Sequence, residues 1–407
     1  KGELWVEGDK ITYIGDGADA PPAEGIVWDR EIDVCGDLLM PGFKNAHAHT
    51  YMTFLRSYAD DLPLQEWLYN LCFPMEDKLD TENIRPFEVL GIMEYLTSGI
   101  TTSFDMCYFP PVYAQVAAEC GFRAVQVSGV NSFGGLASVV EENYHKVSET
   151  SDLTSFMIGF HAEYTTKPDL MKEIADLAHK YKTPLFMHNS ETRREVDECI
   201  ERYGKTPTQL TDEMDMYAYG GGGYHCIWFD EKDFEIFKKR GLTAVTCPAS
   251  NLKLASGIVP LKSFVDRGIN VAIGTDGAAS NNALDMFREM YLVGTQQKVL
   301  EEDASACPAG EVLKMACVNG ARALGLSECD DLAPGKKADL IVIDLHRPNM
   351  RPLSHPEINL VYAGSKENVR LTMINGKILY ENGEFHIGEE PEDIYRYADS
   401  FVRSLGL

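Results

Sequence analysis

Two histidines, His47 and His49, stand one residue apart at the end of an apolar run, "LMPGFKNAHAHTYMTFLR". In an extended chain the side-chain period is two, so both imidazoles project from the same face of the strand's end. Such a pair can grip one metal ion, and two polar residues on a wet loop would have the same spacing. What closes the other apolar runs decides between them. His161 ends "FMIGFHAEY", His188 and Glu191 lie in "PLFMHNSE", His225 opens "HCIWF", and Asp276 closes "NVAIGTD". Five of the ten histidines fall at such run ends. His145, His179, His346, His355 and His386 fall in helical or terminal β segments and read as structural or surface residues. Imidazoles and one carboxylate, brought to one point, suit Zn²⁺ and also Fe²⁺ or Mn²⁺. An ion held that way stays positive and open to water, lowering the pKa of that water to ~7.

These residues converge only if the elements that carry them do. Apolar runs end near residues 49, 106, 130, 164, 191, 229, 248 and 277, with helical patterns between most of them. In "DLMKEIADLAHKYK", Ile174, Leu177, Ala178 and Tyr181 recur at i, i+3, i+4 and i+7, which predicts one buried stripe. Eight strand-like runs alternating with helices predict an α/β fold, a (β/α)₈ TIM-like barrel, whose catalytic groups sit at the C-terminal ends of the strands. The two chain ends differ from this middle. "LWVEGDKITYIGDG", "REIDVCGDLLMPGF", "KKADLIVIDL" and "VRLTMINGKILYENGEF" read as β-hairpin material with Gly-Asp, Asp-Gly and Asn-Gly turn signals. The expected division is a small β-sandwich domain from residues 1–40 and 335–390, a metal-dependent barrel over 41–334, and a C-terminal helix over 391–407. The glycine run Gly220–Gly223 in "YGGGGY" costs backbone entropy, so a close approach or a loop is expected there.

Bulk composition narrows the partners. The 407 residues, 44% hydrophobic and 25% charged, are those of an ordinary globular protein. With 63 acidic and 37 basic side chains, the net charge of −26 repels nucleic-acid polymers and anionic lipid surfaces. A small nucleoside-like ligand remains compatible, because one pocket decides its binding. Ten scattered cysteines without a C-x-x-C pair point to reduced thiols and a cytoplasmic setting. No signal peptide and no apolar span near ~18 residues is evident. The chain starts without Met, and an N-terminal piece is expected to be missing.

The segments "PGFKNAHAHT", "HNSET", "YHCIWF", "CPASNLKLASGIVP" and "IGTDGAASNNALDMF" together resemble the amidohydrolase superfamily. Within it they resemble the methylthioadenosine/S-adenosylhomocysteine deaminase and chlorohydrolase-like group, over nearly the whole chain. The resemblance implies a hydrolase with one metal ion, Zn²⁺ by default, bound by His47, His49, His188 and Asp276. It places His225 on the metal-bound water. Binuclear relatives carry a bridging carbamylated lysine at the end of strand four; "GFHAEYT" offers His161 there and no lysine, which supports one ion. The resemblance assigns Glu191 as the acid/base that protonates the ring nitrogen beside the attacked carbon, purine C6. Hydroxide adds to an aromatic carbon only if that nitrogen can take a proton. Asp276 then moves the water's proton to the leaving amine. By the same resemblance Glu76 binds ribose hydroxyls, Trp67 walls the pocket, His161 contacts the purine, and Ser280, close behind the metal-ligand carboxylate, is counted with the substrate-binding residues.

One departure bears on substrate. Family members that take S-adenosylhomocysteine hold its carboxylate with two arginines, and the matching places here read Ser128 and Val139. An anionic tail buried without such a donor would lose several kcal/mol. The expected substrate is therefore methylthioadenosine, 5′-deoxyadenosine or adenosine. Alternatives are hydrolysis of another N-heterocycle (guanine, a pterin or a triazine), which would leave Glu76 no ribose to hold, and a metal-free scaffold relative. A scaffold should have shed ligands that are all present here. Assembly into a homo-oligomer is compatible with every reading.

Overall fold

The structure, a computed structural model, describes residues 2–58 and 60–406. Eight parallel strands form the barrel: Phe43–His49, Ile100–Asp105, Arg123–Val127, Thr154–Ala162, Leu185–Asn189, Gly221–His225, Thr243–Thr246, and an eighth in two pieces, Asn270–Ile273 and Asp276–Gly277. Each strand pairs with its neighbour in sequence. The first piece of the eighth pairs with the seventh, and Asp276 and Gly277 pair with Ala48 and His49 of the first, which closes the ring. The first strand is buried at every position, as a parallel strand covered on both faces must be.

The helices between strands start and stop where local chemistry dictates. Thr192 and Glu195 form a capping box that opens helix Arg193–Tyr203, and left-handed Gly204 closes it. Asp230 and Asp233 do the same for Glu231–Arg240, closed by Gly241. In helix Pro168–Tyr181 the residues Ile174, Leu177 and Ala178 are buried, as their spacing predicts. The chain's last helix is Pro391–Ser404, whose Phe401 ring packs 5.3 Å from that of Phe87.

The glycine run proves to be a close approach over Gly221 and Gly222, while Gly220 lies in the turn before the strand with open space around it. Gly221 to Gly223 lie inside the sixth strand. A Cβ on Gly221 would stand 1.9 Å from the Leu185 carbonyl oxygen, and one on Gly222 would stand 2.1 Å from that of Thr243. The two neighbouring backbones leave no room for a side chain.

At the chain ends, Gly2–Glu7 and Lys10–Asp16 form a hairpin. A separate five-stranded antiparallel sheet runs in the order Glu384–Phe385, Lys377–Glu381, Val369–Ile374, Leu340–Ile343, Leu38–Pro41. One strand from early in the chain thus edges a sheet built from its end. Of "REIDVCGDLLMPGF", only Leu38–Pro41 becomes a strand of this sheet before Phe43 enters the barrel. The expected hairpin does not form: Cys35 and Gly36 turn with φ of 53° and 85°, but residues 29–34 before them form no strand to pair with Leu38–Pro41. Among the described residues no helix is long and apolar enough to cross a membrane.

Candidate metal and active site

The C-terminal ends of the strands bring His47, His49, His188, His225 and Asp276 together. The His47 ring centroid lies 4.9 Å from those of His49 and His188. Asp276 Oδ1 is 3.6 Å from His47 Nε2 and 3.5 Å from His49 Nε2. The Nδ1 of His49 lies 2.8 Å from the Met106 carbonyl oxygen, and that of His188 lies 2.8 Å from the His161 carbonyl oxygen. A carbonyl only accepts, so each Nδ1 carries the hydrogen and a neutral ring leaves Nε2 as a bare lone pair. These two Nε2 atoms face each other at 3.4 Å. With no hydrogen to share they repel, unless a cation lies within reach of both. His47 is fully buried, yet neither of its ring nitrogens has a hydrogen-bond partner among the described residues. Burial, reinforced by the surrounding imidazoles, pushes His47 and His188 well below the ordinary histidine range. Both stay neutral, as metal ligands must. Donor atoms of His47, His188 and His225, and of His47, His49 and Asp276, fall within 4.8 Å of one another. This donor set fits a divalent metal ion.

A ring of small polar residues holds the cluster. Ser250 and Ser280 donate to Asp276 Oδ2 at 2.5 and 3.1 Å, and the Gly277 amide donates to Oδ1 at 2.8 Å. Burial opposes ionisation of Asp276, but His225, His49 and these hydrogen bonds prevail and hold its carboxyl below the usual range. His225 Nδ1 lies 2.7 Å from Asn251 Oδ1, which directs Nε2 into the site, 3.8 Å from Glu191 Oε2. Ser256 donates to Glu191 Oε1 at 3.0 Å. Glu195 accepts the backbone N–H of Ser190 and of Glu191, fixing the turn on which Glu191 sits. Burial pushes the Glu191 carboxyl up, with His225 and Ser256 opposing. Asp276 and His225 have positive φ, 61° and 70°, a region that non-glycine residues seldom occupy.

The cluster forms one wall of a cavity of about 540 Å³, which Trp67, Glu76, His161 and Glu191 also line. Glu76 is 4% exposed and accepts the Tyr51 hydroxyl at 2.6 Å; burial pushes its carboxyl up to about 7. The indole N–H of buried Trp67 has no partner among the described residues. His161 Nδ1 lies 2.9 Å from Thr165 Oγ1, and burial pushes the ring's pKa down to about 3. Ser280 is not in the lining; its hydroxyl is directed to Asp276 and the Gly277 carbonyl. Ser128 and Val139 do line the cavity, and among the described lining residues none is Lys or Arg.

Sequence reasoning did not single out Ser250, Asn251 and Ser256, nor Tyr224, whose ring stacks on that of His47 at 3.8 Å. A signal was present: "CPASNLKLASG" places small polar residues directly after the seventh strand, at the end of the barrel where the ligands lie.

The closed ring and its imidazole–carboxylate mouth define the class. The Amidohydrolase family model matches residues 38–379, and the chain belongs to that family. Among individual relatives, it is 38% identical over 423 residues to a 5-methylthioadenosine/S-adenosylhomocysteine deaminase of Caldanaerobacter subterraneus subsp. tengcongensis, covering 99% of this chain and 93% of that protein. It is 36% identical to a 5′-deoxyadenosine deaminase of Methanothermobacter thermautotrophicus, covering 96% of this chain and 92% of that protein. Among solved structures, an adenosine deaminase from Xanthomonas campestris with bound zinc superposes with a TM-score of 0.93 at 31% identity, covering 99% of this chain and 94% of that one.

Proposed function

We propose that the protein is a metal-dependent hydrolytic deaminase of an adenine-type nucleoside: methylthioadenosine, 5′-deoxyadenosine or adenosine. One observation carries this reading. A single cavity holds an imidazole–carboxylate cluster, a buried carboxyl with a raised pKa beside it, and a second buried carboxyl, Glu76, elsewhere on its wall. His47, His49, His188 and Asp276 would hold one ion, Zn²⁺ in this reading with Fe²⁺ or Mn²⁺ as substitutes. When bound, it supplies the Lewis acidity that makes water a nucleophile at neutral pH.

The chain's own residues do the rest. Glu191, whose carboxyl burial pushes above the ordinary range, gives its proton to purine N1 as oxygen adds to C6. His225 Nε2 faces the same point and accepts a hydrogen bond from the attacking water. Asp276 takes one proton of the water and returns it to the amine, which leaves as ammonia, and Glu191 regains its proton from the C6 hydroxyl as the adduct collapses, so that water and the 6-amino compound become the 6-oxo compound. Glu76 accepts the ribose hydroxyls, and Trp67 and His161 flank the base. Ser280 acts through Asp276. A lining without Lys or Arg supports an uncharged substrate. The activities for which the relatives at 36–38% identity are named support the adenine nucleoside class.

We likewise divide the chain into a β-sandwich domain (1–40 with 335–390), the barrel (41–334) and a terminal helix (391–407). The Ile11 amide donates to the Lys336 carbonyl and the Ala338 amide to that of Asp9, which supports joining the two chain ends. Ten free thiols support a reducing, cytoplasmic setting. The test of function is ammonia release from adenosine, 5′-deoxyadenosine, methylthioadenosine, S-adenosylhomocysteine, adenine and guanine, with chelated and zinc-reloaded protein. Metal-dependent turnover of the uncharged nucleosides above the rest is expected; release from the free bases alone overturns the reading.

A further inference from the structure

The imidazoles of His49, His188 and His225 are each steered by a hydrogen bond at Nδ1, with the Met106 carbonyl, the His161 carbonyl and Asn251 Oδ1 at 2.8, 2.8 and 2.7 Å. His47 has no such bond among the described residues, although it is fully buried. What it has instead is an aromatic face. The Tyr224 ring lies over that of His47, with centroids 3.8 Å apart and planes inclined by 19°. The rings of His49, His188 and His225 stand nearly perpendicular to His47, at 81°, 81° and 84°. Tyr224 is itself held, because its ring stacks on Phe186 at 5.7 Å and meets Phe104 at 5.7 Å and 71°. The glycine run serves this column of rings: a Cβ on Gly222 would stand 2.7 Å from Phe186 Cε1, so the bare backbone of the sixth strand lets Phe186 lie beside Tyr224. The Tyr224 hydroxyl is buried without a partner among the described residues, so the ring and not the hydroxyl carries the contact.

We propose that Tyr224 is a positioning residue for the metal centre: the face of its ring holds the His47 imidazole, which no hydrogen bond orients, in the plane that receives a divalent cation. The inference rests on the metal-dependent reading of the site. An imidazole fixed before the ion arrives loses less freedom on binding it. A metal-bound imidazole also takes on part of the ion's positive charge, which the negative face of an aromatic ring attracts. Tyr224 thus does for His47 what a hydrogen-bond acceptor does for the other rings.

The test is zinc affinity, read by competition with a chromophoric chelator, on the wild-type protein and on folded variants. Tyr224→Phe keeps the ring and should bind zinc as the wild type does, and losing an unsatisfied hydroxyl should not lower its melting temperature. Tyr224→Leu should bind at least about tenfold more weakly, the usual loss when the partner that orients a ligand is removed. Phe104→Leu removes the next ring of the column and should keep the wild-type affinity. If Tyr224→Leu does not fold by far-UV circular dichroism, Tyr224→Met, which fills more of the space, takes its place with the same expectation. One measurement needs no variant: in histidine-labelled wild-type protein, with and without zinc, the ring current of Tyr224 should place the His47 ring protons upfield of those of His49 and His188 in the NMR spectrum. Wild-type affinity in Tyr224→Leu, equal losses in Tyr224→Leu and Phe104→Leu, a Tyr224→Phe as weak as Tyr224→Leu, or His47 protons without the upfield shift overturns the role of Tyr224 and leaves the metal centre standing. A wild-type protein that binds no divalent ion overturns the metal reading and this inference with it.

Discussion

The strand Phe43–His49 carries a lysine near one end and two histidines at the other, and all three are buried. Around Lys44 the charged groups are hydrogen-bonded. Its ammonium donates to the Gly42 carbonyl at 2.9 Å and to Thr101 Oγ1 at 2.8 Å. Nearby, Arg123 grips Asp339 with two hydrogen bonds, 2.6 and 3.1 Å, and Asp339 also accepts the Asn375 amide. These bonds pin the barrel floor to the five-stranded sheet. At the mouth the opposite holds: two lone pairs confront each other, His47 has no hydrogen-bond partner among the described residues, and two site residues sit in unfavourable backbone. Polar groups that complete one another stabilise a fold, and polar groups left incomplete await something from outside.

Four measurements would break or sharpen that contrast. Replacing one imidazole, His188→Asn, should strip the metal and lower ammonia release by more than about 10³-fold. Far-UV circular dichroism should stay unchanged, and a variant that keeps its metal would erase the distinction between the two ends. Glu191→Gln should keep the metal by elemental analysis but lower kcat by about 10²–10⁴-fold, because the amide has no proton to give. At the floor the sign reverses. Asp339→Asn leaves the Arg123 charge buried without its partner and should lower the unfolding free energy by about 3–5 kcal/mol in a denaturant titration. The specific activity of the folded fraction should be unaltered.

The smallest effect concerns pH. Burial pushes the Glu195 and Glu289 carboxyls each up to about 8. An unfolded glutamate titrates near 4.3, so between the two values the folded state binds more protons and stability falls as pH rises. Each group contributes at most about 1.4 kcal/mol per pH unit. Melting temperature should decline from about pH 5 to pH 9, and Glu289→Gln should flatten the decline.

The candidate site was legible because chemistry leaves a period in a strand: His47 and His49 at a spacing of two, and His188, His225 and Asp276 each where an apolar run stops. The barrel was legible for the same reason, since parallel strands covered on both faces read as unbroken apolar runs. The supports were not. Ser250, Asn251 and Ser256 are common residues whose importance lies in what they touch, and nothing in their own spacing shows that Asp276, His225 and Glu191 fold back onto them. The Arg123–Asp339 pair spans 216 positions, beyond the reach of any periodicity. The glycine run announced a tight place without saying what pressed on it, because Leu185 and Thr243 belong to other strands.

The eighth strand is lapped like a hoop with two short joints: Asn270–Ile273 fastens to one neighbour and only Asp276–Gly277 to the other. The second joint is also where a carboxylate from one stave meets two imidazoles from the next. An ion seated there is a rivet through the overlap as well as a reagent, so emptying it should loosen the seam around residues 274–277 before any other part of the ring. Mechanical closure of the barrel and chemical competence of its mouth are in this protein one and the same fastening.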